Sequence, residues 1–193
     1  MRDLAIAIKM TIVLTLITGI AYPIAMVGVG RALFPRQAAG SPIRRDGDVV
    51  GSVLIGQNFS SPRYFHGRPS AAGDKGYDAT ASGGSNLGPT NRSLIDTVRK
   101  RLRETVESEA VSAQKVPVDL VTASGSGLDP DLSPAAAELQ VPRVARARHL
   151  SEDRVRELVA RNTSARFLGI FGEPRVNVLM LNLALDKAGD GQR

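Results

Sequence analysis

The sequence contains no cysteine and no tryptophan, and it has only two histidines in 193 residues. The absence of cysteine excludes disulfide bonds, thiol catalysis and any metal site with cysteine ligands. His66 and His149 lie far apart in the sequence and neither belongs to an HExxH pattern, so we interpret each as a surface or packing residue and predict no metal site. Aromatic residues make up only 4% of the chain, and its core must therefore be packed from Leu, Val, Ile and Ala.

Two motifs of catalytic proteins are also missing. No glycine is followed by Lys and then Ser or Thr, which excludes the usual phosphate-binding loop. Ser126 has Ser124 and Leu128 at the two positions where the nucleophile elbow of hydrolases requires glycine. Because the pattern offers no convergent nucleophile and base, we predict no catalytic residues.

The charge is positive but evenly distributed. The formal net charge is +6, from 25 basic and 19 acidic residues. The densest basic run, residues 99–103, is followed at once by Glu104, Glu107 and Glu109. This mixture is typical of a solvated helix face, so we expect no nucleic-acid partner.

One long apolar segment lies near the N-terminus. Residues 10–30 form an uncharged run, and about 20 helical residues suffice to cross the roughly 30 Å hydrocarbon layer of a membrane. A cleaved signal peptide is the alternative, but its apolar part is normally about 7–15 residues long. The length of the run and its internal Pro23 favour a retained anchor. We predict a transmembrane anchor over residues 1–34.

This helix carries a side of small and hydroxylated residues that would allow another helix to approach closely. They are Thr11, Thr15, Thr18 and Gly19. We therefore expect the helix to pack against protein. Its orientation stays open, because arginines lie on both sides of the apolar run.

The remaining sequence predicts one soluble α+β domain of mixed α/β structure. Residues 35–48 are rich in Pro, Gly and charge and are predicted as a linker, followed by the domain over 49–188 and a flexible tail over 189–193. Strands are predicted at 49–55 and 176–183, with an extended piece at 116–122. Residues 56–90 are too rich in turn-forming residues for long regular elements, so we predict a long loop that packs through its aromatic residues.

Three helices are predicted after this loop. Apolar residues recur at helical spacing after Asn91, which is a suitable N-cap. Ser133 and Pro134 form a good cap and first residue for a second helix, with an interruption possible at Pro142. Ser151 opens a third helix, which ends near Asn162.

Three glycine-rich or proline-rich stretches interrupt the domain, at residues 68–71, 82–89 and 119–130. The backbone amides of such glycines can form anion-binding nests. The alternative is that these stretches are tight turns that hold the fold, and the physical argument alone favours the turns.

The same stretches carry a resemblance to a known family. GSVLIGQNF (51–59), YFHGRPSA (64–71), SGGSNLGPTN (82–91), the segment 118–148 and GEPRVNVLMLNLALD (172–186) occur in that family's order. From the anchor to nearly the last residue, the chain closely resembles the KdpC family, a subunit of the Kdp-type, ATP-driven potassium transporter of bacteria.

The resemblance implies an accessory subunit with no active site of its own. It would lie in the bacterial cytoplasmic membrane as a single-pass protein, with an extracytoplasmic domain. Its partners would be a channel-like, potassium-translocating subunit and a P-type ATPase subunit, with no tightly bound cofactor and with ATP present only through the ATPase partner. The competing hypothesis is an anchored or secreted enzyme or binding protein of the cell envelope, which should show a convergent polar site.

The resemblance also implies a mechanism, that of a catalytic chaperone that raises the ATP affinity of the ATPase subunit. The loop Ser82-Gly83-Gly84-Ser85 resembles the signature loop of ABC transporters, and Gln140 and Arg143 are the residues that the resemblance assigns to the nucleotide. An extracytoplasmic domain, however, does not reach cytoplasmic ATP.

A second mechanism fits that topology. The domain would cap the outer mouth of the pore and steady the complex, while the helix packs on the channel-like subunit. Asp129 and Asp131 would then concentrate cations at the entrance. The alternative is that both are ordinary turn acids beside a helix start.

Overall fold

The computed structural model describes residues 1–190, and the chain divides into two compact units, Met1–Ser52 and Val53–Arg193. The predicted fold class is confirmed: one long apolar helix is followed by a domain of helices and small antiparallel sheets. The domain boundaries predicted at residues 34, 48 and 188 stay predictions. Residues 191–193 of the predicted tail lie outside the described residues.

The first unit begins with a continuous helix, Arg2–Leu33, which is long and apolar enough to cross a membrane and has a mean hydropathy of 2.2 in its most apolar window. It consists of α1 (Arg2–Leu16), a wider π-type turn (Ile17–Ala21) and α2 (Tyr22–Leu33). The wide turn precedes Pro23, which has no N–H and whose ring would collide with the carbonyl four residues earlier. The extra residue in that turn lets the helix continue past the proline.

The rest of the first unit is a short helix and a hairpin: α3 (Pro35–Ala38), β1 (Pro42–Arg45) and β2 (Asp48–Ser52). The predicted strand 49–55 is thus wrong at its end, since β2 stops at Ser52. Its partner β1 lies within the segment predicted as a linker. Asp46 and Gly47 connect the two strands, both with positive φ (54° and 94°), as two-residue hairpin turns require. This Asp-Gly pair is the hairpin signal that the prediction of a linker overlooked.

The second unit contains four helices: α4 (Arg92–Glu109), α5 (Pro134–Arg148), α6 (Glu152–Arg161) and α7 (Val178–Asp190). The three predicted N-caps are confirmed. The side chains of Asn91, Ser133 and Ser151 accept hydrogen bonds from backbone amides in the first turns of α4, α5 and α6. Helix α5 runs through Pro142 without interruption.

The strand predicted at 176–183 is wrong. A three-residue strand, β5 (Arg175–Asn177), passes directly into α7, and the Asn177 side chain accepts a hydrogen bond from the amide of Met180 at 3.1 Å. A run that is apolar at nearly every position has no period that separates strand from helix. The extended piece predicted at 116–122 is also wrong, because Ala113–Lys115 and Val118–Leu120 form 3-10 turns.

The core lies where α5, α6 and α7 pack beside a small antiparallel sheet. Strand β5 is central in this sheet, between β3 (Asp131–Leu132) and β4 (Thr163–Ser164). Residues 56–90 contain no helix and no extended strand pairing, as predicted, yet Phe65 is fully buried among the helices. The long loop is therefore part of the core, and its attachment defines the candidate site.

Candidate functional site

Two buried carboxamides attach the long loop to the helices. Asn182 on α7 and Gln140 on α5 are each only 1% exposed. Asn182 accepts from the amide of Phe65 and donates to its carbonyl, both at 2.9 Å. Gln140 accepts from the amide of His66 at 2.8 Å and donates to its carbonyl at 3.1 Å. The two side chains thus replace the strand partners that this extended segment lacks, as buried backbone groups require.

Arg143, one turn after Gln140 on α5, extends this hydrogen-bonded array. Its guanidinium donates to the carbonyls of Pro62 (2.7 Å) and Tyr64 (3.0 Å) and to Oε1 of Gln140 (2.7 Å). It also forms a 2.8 Å ion pair with Glu109, the last residue of α4. Arg143 therefore joins the loop, α4 and α5.

A second arginine holds the same segment from the other side. Arg148 lies over the ring of Tyr64 at 4.7 Å, donates to the carbonyl of Arg63 at 2.6 Å and pairs with Asp186 of α7 at 2.9 Å. The hydroxyl of Tyr64 donates to the same carboxylate at 3.0 Å. Because these groups are mostly buried, their hydrogen bonds fix the loop more firmly than surface pairs would.

A cleft of about 520 Å³ opens between the loop and α4. Both signs of charge line it. Burial, with the positive charge of Arg143, lowers the pKa of His66, whose Nε2 lies 3.1 Å from the Ser61 carbonyl oxygen. Burial also raises the pKa of Tyr77 to about 12, with the charge of Asp129 acting in the same direction. The charged and titratable residues of the lining are His66, Arg68, Asp74, Lys75, Tyr77, Arg101, Glu104 and Glu109.

The three glycine-rich or proline-rich stretches interlock next to this cleft. Ser70 donates to the Gly127 carbonyl at 2.6 Å, and the Gly83 amide donates to the Ser126 carbonyl at 2.8 Å. Gly127 has a φ of +67°, and a Cβ atom there would lie 2.7 Å from the Gly83 carbonyl oxygen and 2.8 Å from Ala72. These contacts are those of the tight turns that the physical argument favoured.

The residues that the resemblance assigns to a nucleotide fall into two groups. Gln140 and Arg143 are hydrogen-bonded to each other, and Gln140 belongs to the lining of the cleft. Ser82, Gly83, Gly84 and Ser85 lie instead against residues 124–127, and none of the four is among the described residues that line the cleft. Gln140 and Arg143 already bond extensively within the chain, so a nucleotide would have to compete with those bonds.

The two acids expected at the glycine-rich turn are each paired with an arginine. Asp129 accepts from Arg68 at 2.8 Å, and Asp131 lies 3.0 Å from Arg175. Burial, with the charge of Asp129, raises the pKa of Asp131, although Arg175 and Asn177 oppose this. Within residues 1–190, no group of three His, Asp or Glu side chains is placed to hold a metal ion.

The four residues expected to pack against another helix are all exposed on the N-terminal helix. The hydroxyls of Thr11 and Thr18 donate to backbone carbonyls one turn earlier, at 2.9 and 2.7 Å. A Cβ atom at Gly19 would contact only the methyl group of Thr15, at 3.9 Å. The polar groups of this surface are thus satisfied within the helix, and the surface itself is smooth.

Sequence reasoning missed several residues of the array. Asn182 had a signal, because it is the one polar residue in the apolar run 178–185 that ends up fully buried. Glu109 and Asp186 had none, since each acid is one of many on a helix and only the packing selects its arginine partner. His66 was interpreted as a surface or packing residue, and the structure places it half-buried in the cleft wall.

Comparison with known proteins gives a consistent match over nearly the whole chain. The family model described as "K+-transporting ATPase, c chain" matches residues 4–187. A protein of Gemmatimonas aurantiaca, named potassium-transporting ATPase KdpC subunit, is 60% identical over 186 residues, which are 96% of this chain and 93% of the relative. A protein of the same name from Acidobacterium capsulatum is 57% identical over 187 residues, covering 97% of this chain and 99% of the relative.

Proposed function

Because the chain belongs to the family of the c chain of K+-transporting ATPases, we propose that it is a non-catalytic accessory subunit that assembles and stabilises such a transport complex. Its partners in this proposal are a channel-like, potassium-translocating subunit and a P-type ATPase subunit. The apolar helix Arg2–Leu33 anchors it in the bacterial cytoplasmic membrane, with the domain on the extracytoplasmic side.

One observation carries the proposal of a structural role. The most deeply buried polar side chains of the domain, Gln140 and Asn182, bond to the chain's own backbone. Arg143 and Arg148 likewise direct their donors to the loop and to acids of neighbouring helices. Catalysis requires polar groups aimed at a substrate, whereas these groups make the domain rigid. A rigid domain with an attached spanning helix suits a subunit that holds others together.

The helix surface of Thr11, Thr15, Thr18 and Gly19 supports the proposal at the membrane. In lipid, helices associate where small residues let their backbones approach and where hydroxyls find partners. Here the hydroxyls of Thr11 and Thr18 are satisfied within their own helix. We therefore propose that close packing at Gly19 holds the partner helix.

The test is Gly19→Leu in the full complex, with Gly28→Leu as the matched control. A Cβ atom at Gly28 would meet no other atom within 4 Å, and this glycine lies nine residues on, roughly on the opposite side of an α-helix. We expect Gly19→Leu to reduce co-purification of the channel-like and ATPase subunits in detergent by roughly tenfold, as a loss of about 1.4 kcal/mol implies. The control should assemble normally.

Equal recovery of the partners with Gly19→Leu and with the unchanged chain would show that the helix is only a tether. Equal loss with both variants would show a general effect of a bulky residue in the anchor. Either outcome would reject the packing surface.

A second candidate is the catalytic-chaperone role, in which the chain raises the ATP affinity of the ATPase subunit. The position of Gln140 in the cleft wall, in contact with Arg143, favours it. The hydrogen bonds that both side chains already make within the domain weigh against it. A Gln140 variant separates the two roles and is developed in the Discussion.

A further inference from the structure

The hairpin between β4 and β5 ends in an exposed apolar tip, which we define as residues 167–171. The tip has the sequence Phe-Leu-Gly-Ile-Phe, and its four large side chains are 62–74% exposed. Among the described residues of the second unit, the other exposed large apolar side chains occur singly or as the neighbouring pair Leu54 and Ile55. Exposed apolar clusters of this kind mark protein or membrane contacts.

The backbone of the tip is prepared for an environment without water. The amide of Phe167 donates to the Phe171 carbonyl at 2.8 Å, and the Phe171 amide returns a bond to the Phe167 carbonyl at 2.9 Å. The amides of Gly169 and Ile170 also donate within the turn, at 3.1 and 3.2 Å. Four of the five amides are thus bonded internally, and unsatisfied backbone groups are what lipid does not tolerate.

The neck of the hairpin is charged where the tip is not. Arg166 and Glu173 form a 2.7 Å ion pair at the base of the tip. Residues 161–175 contain three arginines and one glutamate, which leaves a formal charge of +2. An apolar tip above a net basic neck is complementary to the acyl region and the anionic headgroups of a bilayer surface.

We infer that the tip inserts into the surface of a lipid bilayer and gives the domain a second membrane contact besides the N-terminal helix. A lipid surface is favoured over a protein surface because the tip contains no polar side chain that would specify a protein partner, and because the chain already carries a membrane-spanning segment. This contact goes beyond the assembly role and does not depend on it.

The test uses the lack of tryptophan in the sequence. Phe171→Trp, a conservative aromatic exchange, places a single Trp in the tip, and Ile170→Trp is a second variant at the same place. Val118→Trp is the matched control, because Val118 stands alone and is 70% exposed, against 62% for Phe171. The full chain is reconstituted into phosphatidylcholine and phosphatidylglycerol vesicles with or without bromine on the acyl chains.

We expect brominated lipid to quench the tip Trp at least roughly twofold and to leave the Val118→Trp signal unchanged, since interfacial insertion reaches the acyl boundary. Equal signals from the tip variants in both kinds of vesicle would overturn the inference. So would equal quenching of the control. A tip emission that shifts to the blue only when the partner subunits are added, in detergent without brominated lipid, would assign the tip to a protein contact and also overturn it.

Discussion

Replacing Gln140 by leucine is the most informative perturbation of the domain. The substitution preserves approximate volume but removes the carboxamide that pairs with both backbone groups of His66. It also removes one acceptor of Arg143, which keeps its bonds to Glu109, Pro62 and Tyr64. The expected damage is therefore centred on the attachment of the long loop.

The magnitude follows from the two backbone groups. A buried donor or acceptor that loses its partner costs about 1–3 kcal/mol, so two of them cost about 2–6 kcal/mol before any gain from the added apolar side chain. Taking that gain into account, we expect a loss of about 2–4 kcal/mol in the free energy of unfolding. For a chain of this size, such a loss lowers the midpoint of thermal unfolding by roughly 5–15 °C.

The assay compares thermal unfolding of the full chain in detergent, followed by circular dichroism, with the KM for ATP of the assembled complex at a temperature where the domain is folded. Gln114→Leu is the control, because Gln114 is an exposed glutamine on a 3-10 turn. The structural role predicts a lower midpoint for Gln140→Leu and an unchanged KM for ATP. An unchanged midpoint together with a raised KM would refute the reasoning and favour the nucleotide role.

Two further predictions concern the interlocked turns and the cleft. Gly127→Ala should destabilise the domain by more than about 1–2 kcal/mol, the strain of a left-handed non-glycine residue, because its Cβ would also lie 2.7 Å from the Gly83 carbonyl oxygen, whereas Gly125→Ala, with no atom within 4 Å, should cost little when both are measured by urea unfolding. Burial holds the pKa of His66 below 6.5, so the folded chain binds this proton less tightly than the unfolded chain. The free energy of unfolding should therefore be fully present above pH 6.5 and fall as the pH drops below it; His66→Gln should flatten this pH dependence in urea titrations, and His149→Asn should not.

Local signals in the sequence were sufficient for the helices that begin at a cap. Asn91, Ser133 and Ser151 each precede a helical apolar pattern, and capping needs only residues within one turn. The spanning helix was equally accessible, since length and lack of charge decide it. The long loop was predicted from its composition, which does not support regular elements.

The errors arose where the local signal is ambiguous or was passed over. Residues 178–183 are apolar at almost every position, so only packing against α6 and β5 makes them a helix. The hairpin of the first unit was marked by Asp46-Gly47, but the polar composition around it favoured a linker. In both cases a short window contained two compatible structures.

What the sequence by itself determined is the membrane-spanning helix, the capped helices, the class of the fold and, through its motifs, the family. These depend on residues close together in the chain or on the order of motifs along it. Only the tertiary structure decided what Gln140, Asn182 and Arg143 do. Their partners lie 74 to 117 residues away for the two carboxamides, and hydrogen bonds over such separations depend on how the helices and the loop pack, which no local pattern encodes.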